Sequence, residues 1–340
     1  MEDNGRKRIK IALQGGGSHG AFTWGVLDRL LEDPRLEIEA VVGTSAGAMN
    51  AAVLVNGLAC GGPATARKQL HTFWHGVSDL AEASPLQPSP FDRLLGHGNM
   101  DFSPSWLIAD VLNKVFSPYD LNPANINPLK QLLEDIIDFP QLRKGKEPAL
   151  FISATNVLTG RLRVFERDEI SVDTIMASAC LPMIFHAVEI EGEHYWDGGY
   201  CGNPPIFPLI YMGGGPDIVI VQLNPINIPA VPRDVRGIID RVNTLAFNSS
   251  LMREMRMIKF ITDLIDKGQL PSEHFLRLNI HTIDAENELA ALNASSKLNA
   301  DRGFLRYLHE LGVAKAEAFL TAHFDAIGHR SSTDIMDKFF

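Results

Sequence analysis

The chain is poor in cysteine, has no excess of positive charge, and contains no internal repeat and no low-complexity tract. Three cysteines, Cys60, Cys180 and Cys201, occur in 340 residues. So few, and an odd number, exclude a disulfide framework and fit a reducing compartment. Cys201 lies close to Asp197 in sequence, yet a small buried side chain is its default reading. Lys and Arg number 31 against 41 Asp and Glu, a formal net charge of −10. That balance disfavours nucleic acid as a partner and repels anionic bilayers, so any peripheral membrane contact would have to be apolar. The basic cluster Arg6-Lys7-Arg8-Ile9-Lys10 is a local exception and reads as a solvated strand flank. Met1 to Lys10 is polar, and the apolar run after it breaks at glycines, so no secretory signal is read there. The expected location is cytoplasmic, with peripheral contact at membranes as the one departure. His71 and His75 are four apart on an expected helix but lack an H-E-x-x-H pattern. No other histidine stands at metal-ligand spacing from Cys or carboxylate, so neither metal nor other cofactor is expected.

One long stretch, Ala40 to Ala66, lacks charge altogether. Roughly 20 apolar residues suffice to cross a bilayer. This run, however, holds Gly43, Gly47, Asn50, Asn56 and Gly61-Gly62-Pro63, which fit a buried strand, a turn and a packed helix better than a span.

Within that run stands Gly43-Thr44-Ser45-Ala46-Gly47, a G-x-S-x-G pentapeptide placed directly after Ala40-Val41-Val42. Glycines on both sides of a serine permit a strained strand-to-helix turn that lifts the hydroxyl toward a substrate. Upstream, Lys10-Ile11-Ala12-Leu13-Gln14 reads as a short buried strand entering Gly15-Gly16-Gly17-Ser18-His19-Gly20. Phe22, Val26, Leu27, Leu30 and Leu31 then recur at helical spacing. A glycine loop at a helix N-terminus offers unpaired N–H groups and the positive end of the helix dipole, an anion cradle. The anion could be a pyrophosphate, since Gly15, Gly17 and Gly20 satisfy G-x-G-x-x-G, or the oxyanion of an acyl intermediate. A dinucleotide fold should end its second strand in an acidic residue. Here that strand ends in Gly43-Thr44-Ser45, which favours the oxyanion.

A third motif, Trp196-Asp197-Gly198-Gly199-Tyr200, precedes Asn203-Pro204-Pro205. Together with the glycine loop, the elbow and Ala177-Ser178-Ala179-Cys180-Leu181-Pro182 it makes residues 8–210 resemble the patatin-like phospholipase family. The resemblance implies a Ser-Asp dyad, with Ser45 as nucleophile and Asp197 as its general base. It places the oxyanion hole at the N–H groups of Gly15, Gly16, Gly17 and Ser18, and implies a lipid or other acyl ester as substrate. Position 19 is often basic in that family's loop, and His19 departs from this. The chain order Ser, Asp, His leaves His274 or His281 as a possible third member, although both border an apparent strand at 275–281.

Alternating strands and helices imply a three-layer α/β/α fold with a mostly parallel sheet. Strands are expected at 149–156, 161–165 and 217–223, and helices at 64–77, 106–116, 127–138, 235–266 and 302–323. The expected division is a catalytic core at 8–210 and a strand- and helix-rich extension at 211–340 packed on it. The segment 84–104 carries Leu86, Phe91, Leu94, Leu95, Met100 and Phe102 among four prolines, and reads equally as a cap or as a lipid-facing patch. The reading is a lipid acyl hydrolase acting through an acyl-enzyme on Ser45. Its rivals are a nucleotide-binding oxidoreductase using the loop Gly15 to Gly20 and a catalytically silent lipid-binding module.

Overall fold

The computed structural model describes residues 5–271 and 274–340; the first four residues of the polar start read for a leader lie outside these. The chain opens with strand β1 (Lys7–Leu13), helix α1 (Gly20–Glu32), strand β2 (Leu36–Gly43) and helix α2 (Ala46–Glu82). Five shorter helices follow: α3 (Pro90–Leu95), α4 (Pro104–Val115), α5 (Pro118–Leu121), α6 (Pro128–Ile136) and α7 (Phe139–Lys144). All five begin the same way. Ser89, Ser103, Ser117, Asn127 or Asp138 accepts a backbone N–H, and a proline occupies the first or second helical position, where its missing donor has no intrahelical partner to lose.

The chain continues through β3 (Ala149–Asn156), β4 (Leu162–Glu166), α8 (Val172–Ser178), β5 (Val188–Ile190), β6 (Glu193–Asp197), α9 (Phe207–Tyr211) and β7 (Asp217–Gln222). Helix α10 (Val235–Asp266), β8 (Asn279–Asp284), α11 (Glu286–Leu289), α12 (Arg302–His323) and α13 (Ile335–Phe339) complete it. The strands form one sheet in the order β5-β6-β3-β2-β1-β7-β8, with β4 on the other edge of β3. Strands β3, β2, β1, β7 and β8 run parallel. Alternate residues of these strands enter two separate cores. Ile11, Leu13, Val41, Val219 and Val221 pack with α1, α2 and α12. Ala12, Val42, Ile218 and Ile220 pack with Leu209 of α9, Leu251 and Met255 of α10 and Phe339 of α13. Helices thus cover both faces, as buried parallel strands require, and the fold is three-layer α/β/α.

Three features differ from the sequence reading. The uncharged run becomes the end of β2, the elbow and the buried first half of α2; Gly61 and Gly62 then break helical geometry before Pro63, so the expected helix at 64–77 is the second half of a kinked element. The strand expected at 275–281 begins only at Asn279 and runs on to Asp284. The hairpin β5–β6 was not expected. It turns on Glu191 (φ 52°) and Gly192 (φ 80°), two left-handed residues as a tight hairpin demands. Helices α1 and α12 meet closely: a Cβ on Gly25 would lie 2.0 Å from the His309 carbonyl oxygen, and one on Gly312 2.1 Å from that of Phe22. No helix of the described residues is long and apolar enough to cross a membrane.

Candidate active site

Leu13 pairs with Gly43 across β1 and β2, so the glycine loop and the elbow leave the sheet side by side at its carboxyl end, where ligands bind in open α/β sheets. Ser45 has φ 57° and ψ −125°, a conformation that costs of order 1–3 kcal/mol for a residue with a Cβ. Several bonds hold it there. The Ser45 N–H donates to Ser178 Oγ at 2.9 Å, and Thr44 Oγ1 donates to the Gly202 carbonyl at 2.8 Å. Ser45 itself is half-buried, and its turn opens directly into α2.

Asp197 reaches Ser45 through the sheet. Ile152 of β3 lies between Gly43 and Phe165, and Ala154 between Asp197 and Arg163. Strands β2 and β6 therefore follow one another along the same edge of β3, opposite β4. The elbow and the end of β6 converge, and the Ser45 hydroxyl stands near enough to the Asp197 carboxylate to pull its pKa down. Asp197 is 2% exposed, and its Oδ1 also accepts the Gly199 N–H at 2.7 Å. Burial pushes its pKa from 3.8 up to about 6, against the opposing pull of Gly199 and Ser45. Its neighbours Cys180 and Tyr200 are pushed up to about 12, first by burial and then by the Asp197 charge.

The glycine loop lies against the elbow, since a Cβ on Gly15 would stand 2.5 Å from Ser45 Cβ. Its four candidate donors are not equivalent. Gly15 N–H is taken by Asn203 Oδ1 at 2.7 Å, which removes it from the group grouped together on sequence. Among the described residues no acceptor meets the N–H of Gly16, Gly17 or Ser18. His19 is buried with Nε2 2.8 Å from Ser296 Oγ; burial first, and Lys297 second, push its pKa down to about 3. It is neutral at any ordinary pH and brings no positive charge to the loop.

Neither candidate third member joins this pair. His281 is fully buried between Asp217 Oδ1 at 3.0 Å and Ser332 Oγ at 2.9 Å. It sits on β8, three strands from β2, or about 14 Å at the usual spacing. His274 precedes β8, at the end of the sheet away from the elbow. His71 and His75 stack on each other at 4.0 Å beside Trp24, and among the described residues no group of three His, Cys, Asp or Glu could hold a metal ion.

Sequence reasoning missed the residues that hold the site together. Gln14 donates to the Asn203 carbonyl and accepts the N–H groups of Leu223 and Asn224, and Asn224 Nδ2 donates to the Gly15 carbonyl at 2.8 Å. Asn203 and Ser178 lay inside quoted motifs, but only the fold shows that one grips the loop and the other the elbow.

The sequence matches the patatin-like phospholipase family over residues 11–210. A curated relative, the uncharacterized protein YjjU of Escherichia coli (strain K12), is 24% identical over 332 residues, covering 93% of this chain and 82% of its own. Among solved structures, VipD from Legionella pneumophila aligns at 15% identity and a TM-score of 0.44, over 93% of this chain and 67% of its own. A chain of the ExoU–SpcU complex of the type III secretion system of Pseudomonas aeruginosa aligns at 20% identity and a TM-score of 0.33, over 72% of this chain and 50% of its own. The family match runs from within β1 to α9 and takes in the glycine loop, the elbow and Asp197; the chain belongs to the patatin-like phospholipase family.

Proposed function

We propose that the protein hydrolyses lipid acyl esters through an acyl-enzyme on Ser45, with Asp197 as the general base. The observation that carries this reading is the approach of a strained elbow serine to a buried carboxylate whose pKa is raised to about 6. An ordinary carboxylate is a weak base at neutral pH; raising its pKa toward the working pH strengthens it while leaving it ionised. Asp197 takes the Ser45 proton as Oγ attacks the ester carbonyl carbon. The negative oxygen of the tetrahedral intermediate falls to the N–H groups of Gly16, Gly17 and Ser18, each worth about 3 kcal/mol when well aimed. The intermediate collapses, the alcohol leaves with the proton held by Asp197, and the acyl group stays on Ser45. Water, giving its proton to Asp197, then releases the fatty acid and restores the serine.

A lipid substrate is supported by family membership and by the surface around the site. Phe91, Leu94, Leu95 and Phe102 are exposed, as are Ile108, Val111 and Val115 of α4 and Val235, Ile238 and Ile239 of α10. The Arg236–Asp110 pair ties α10 to α4, and Phe247 of α10 packs against Tyr200 beside Asp197. Apolar side chains can thus meet a lipid surface near the site without help from net charge, each contributing up to about 1.5–3 kcal/mol on full burial. Against a nucleotide loop stands the use the protein makes of its glycines: the space beside Gly15 is filled by Ser45 and that beside Gly17 by the Lys297 carbonyl.

The test is covalent labelling by a fluorophosphonate probe together with turnover of a short p-nitrophenyl ester. Ser45→Ala should abolish both and keep the native circular dichroism spectrum. A folded Ser45→Ala protein retaining more than a few per cent of the rate would remove Ser45 from the mechanism, and a tightly bound nucleotide in the purified protein would favour the oxidoreductase.

A further inference from the structure

Lys297 stands on the 3-10 turn Ala294–Leu298, which lies so close to the glycine loop that a Cβ on Gly17 would be 2.3 Å from the Lys297 carbonyl oxygen. Its ammonium donates to Asn224 Oδ1 at 3.1 Å, and Asn224 in turn donates to the Gly15 carbonyl. The lysine charge is therefore tied to the loop through one neutral side chain, at the carboxyl end of the sheet where Ser45 emerges. An ammonium carries three protons, and this one spends a single proton on an uncharged acceptor. Asp240 of α10 is close enough for its charge to be felt, though the two form no ion pair among the described residues. Burial draws the Lys297 pKa below the ordinary lysine value while Asp240 opposes it; burial raises Asp240 while Lys297 opposes that. A part-buried cation without a contacting counter-ion carries a cost, and an arriving anion offsets it. His19, uncharged, cannot supply the same attraction from within the loop.

We infer that Lys297 receives the phosphodiester of a glycerophospholipid while its acyl ester lies at Ser45, and so sets a preference for phospholipid over neutral glyceride. This rests on the reading of Ser45 as the acyl-transfer nucleophile. Lys297 makes no bond to the reacting atoms; it is a specificity-determining residue. Its donors accept any geometry of two phosphate oxygens, and Arg in its place would keep the charge.

The experiment compares kcat/KM for dioleoyl phosphatidylcholine and for dioleoylglycerol, each in the same detergent mixed micelles, for the wild-type protein, K297Q and K297R. The ratio of the two values should fall by about tenfold or more in K297Q, the effect of removing a charge-assisted bond, and return to within about threefold of wild type in K297R. A parallel measurement needs no variant: glycerophosphocholine should inhibit wild-type turnover of a p-nitrophenyl ester at concentrations about tenfold lower than glycerol does. An unchanged ratio in K297Q, an equal loss on both lipids, or no difference between the two inhibitors would overturn the assignment of Lys297 while Ser45-dependent turnover stands. Wild-type protein that turns over no ester, with S45A indistinguishable from it, would instead overturn the underlying reading and this assignment with it.

Discussion

At the residue scale, Asp197, as the proposed base, would couple chemistry to stability. Its carboxyl titrates near 3.8 when unfolded and near 6 when folded, so between those values the folded state holds the extra proton. The group costs nothing below about pH 4; the cost grows as pH rises to about 6 and then levels at about 3 kcal/mol. Asp197→Asn cannot ionise. The variant should therefore be more stable than wild type at pH 7 by up to that amount and melt higher, with the gap closing near pH 4, while its esterase rate falls to that of S45A. Equal melting temperatures at pH 7 would show that burial of this carboxylate is not destabilising. In the wild type, kcat/KM should fall tenfold per pH unit below about pH 6, as the base becomes protonated. Ser45 and Asp197 were legible because motifs carry them. The pairing of Gly15 with Asn203 was not, since it joins positions 188 residues apart and no local pattern encodes which loop N–H a distant amide will claim.

At the element scale, the glycine loop separates two substitutions that sequence treats alike. Gly17 has φ +60°, and a Cβ there would meet the Lys297 carbonyl oxygen at 2.3 Å, whereas Gly16 has an extended φ and a Cβ there would meet first the pliable Leu223 side chain at 3.2 Å. Gly17→Ala should lower kcat/KM by about a hundredfold or more through misaimed donors, and Gly16→Ala by far less; similar losses would mean that strain at Gly17 does not aim the hole. The segment 84–104 also divides. Met100 is buried and its N–H donates to Ser295 Oγ, whereas Phe91 and Leu94 are 66% and 76% exposed. Phe91→Ser with Leu94→Ser should cut turnover of vesicles much more than that of a monomeric short-chain ester, and equal losses would mark a structural cap. The long helices at 235–266 and 302–323 and the strand at 149–156 were plain from periodicity. The β5–β6 hairpin was hidden because its strands are short and its turn is Glu191-Gly192, without the Asn-Gly or Asp-Gly signature.

At the scale of the whole molecule, strands β7 and β8 both come from residues beyond 210, and β7 pairs with β1 in the middle of the sheet. We propose that the extension is needed for folding. A fragment ending at residue 210 would leave the edge of β1 bare and remove α10 and α12, the latter seated on α1 through Gly25 and Gly312; it should show no cooperative melting, and a sharp transition would make the core autonomous. The sheet also holds the two side chains of the proposed dyad unequally. Strand β2, which ends at the Ser45 elbow, is clasped by β1 and β3, whereas β6, which carries Asp197, pairs with β3 at Ala154–Asn156 and with the short β5, and is tied further by the Asp197 N–H to the Cys180 carbonyl. Amides of β5 and β6 should therefore exchange with deuterium through local fraying, while those of β2 wait for global unfolding. Warming would then separate Asp197 from Ser45 before the helices melt, and, on the proposed mechanism, the protein would fall silent some degrees below its unfolding temperature and recover on cooling.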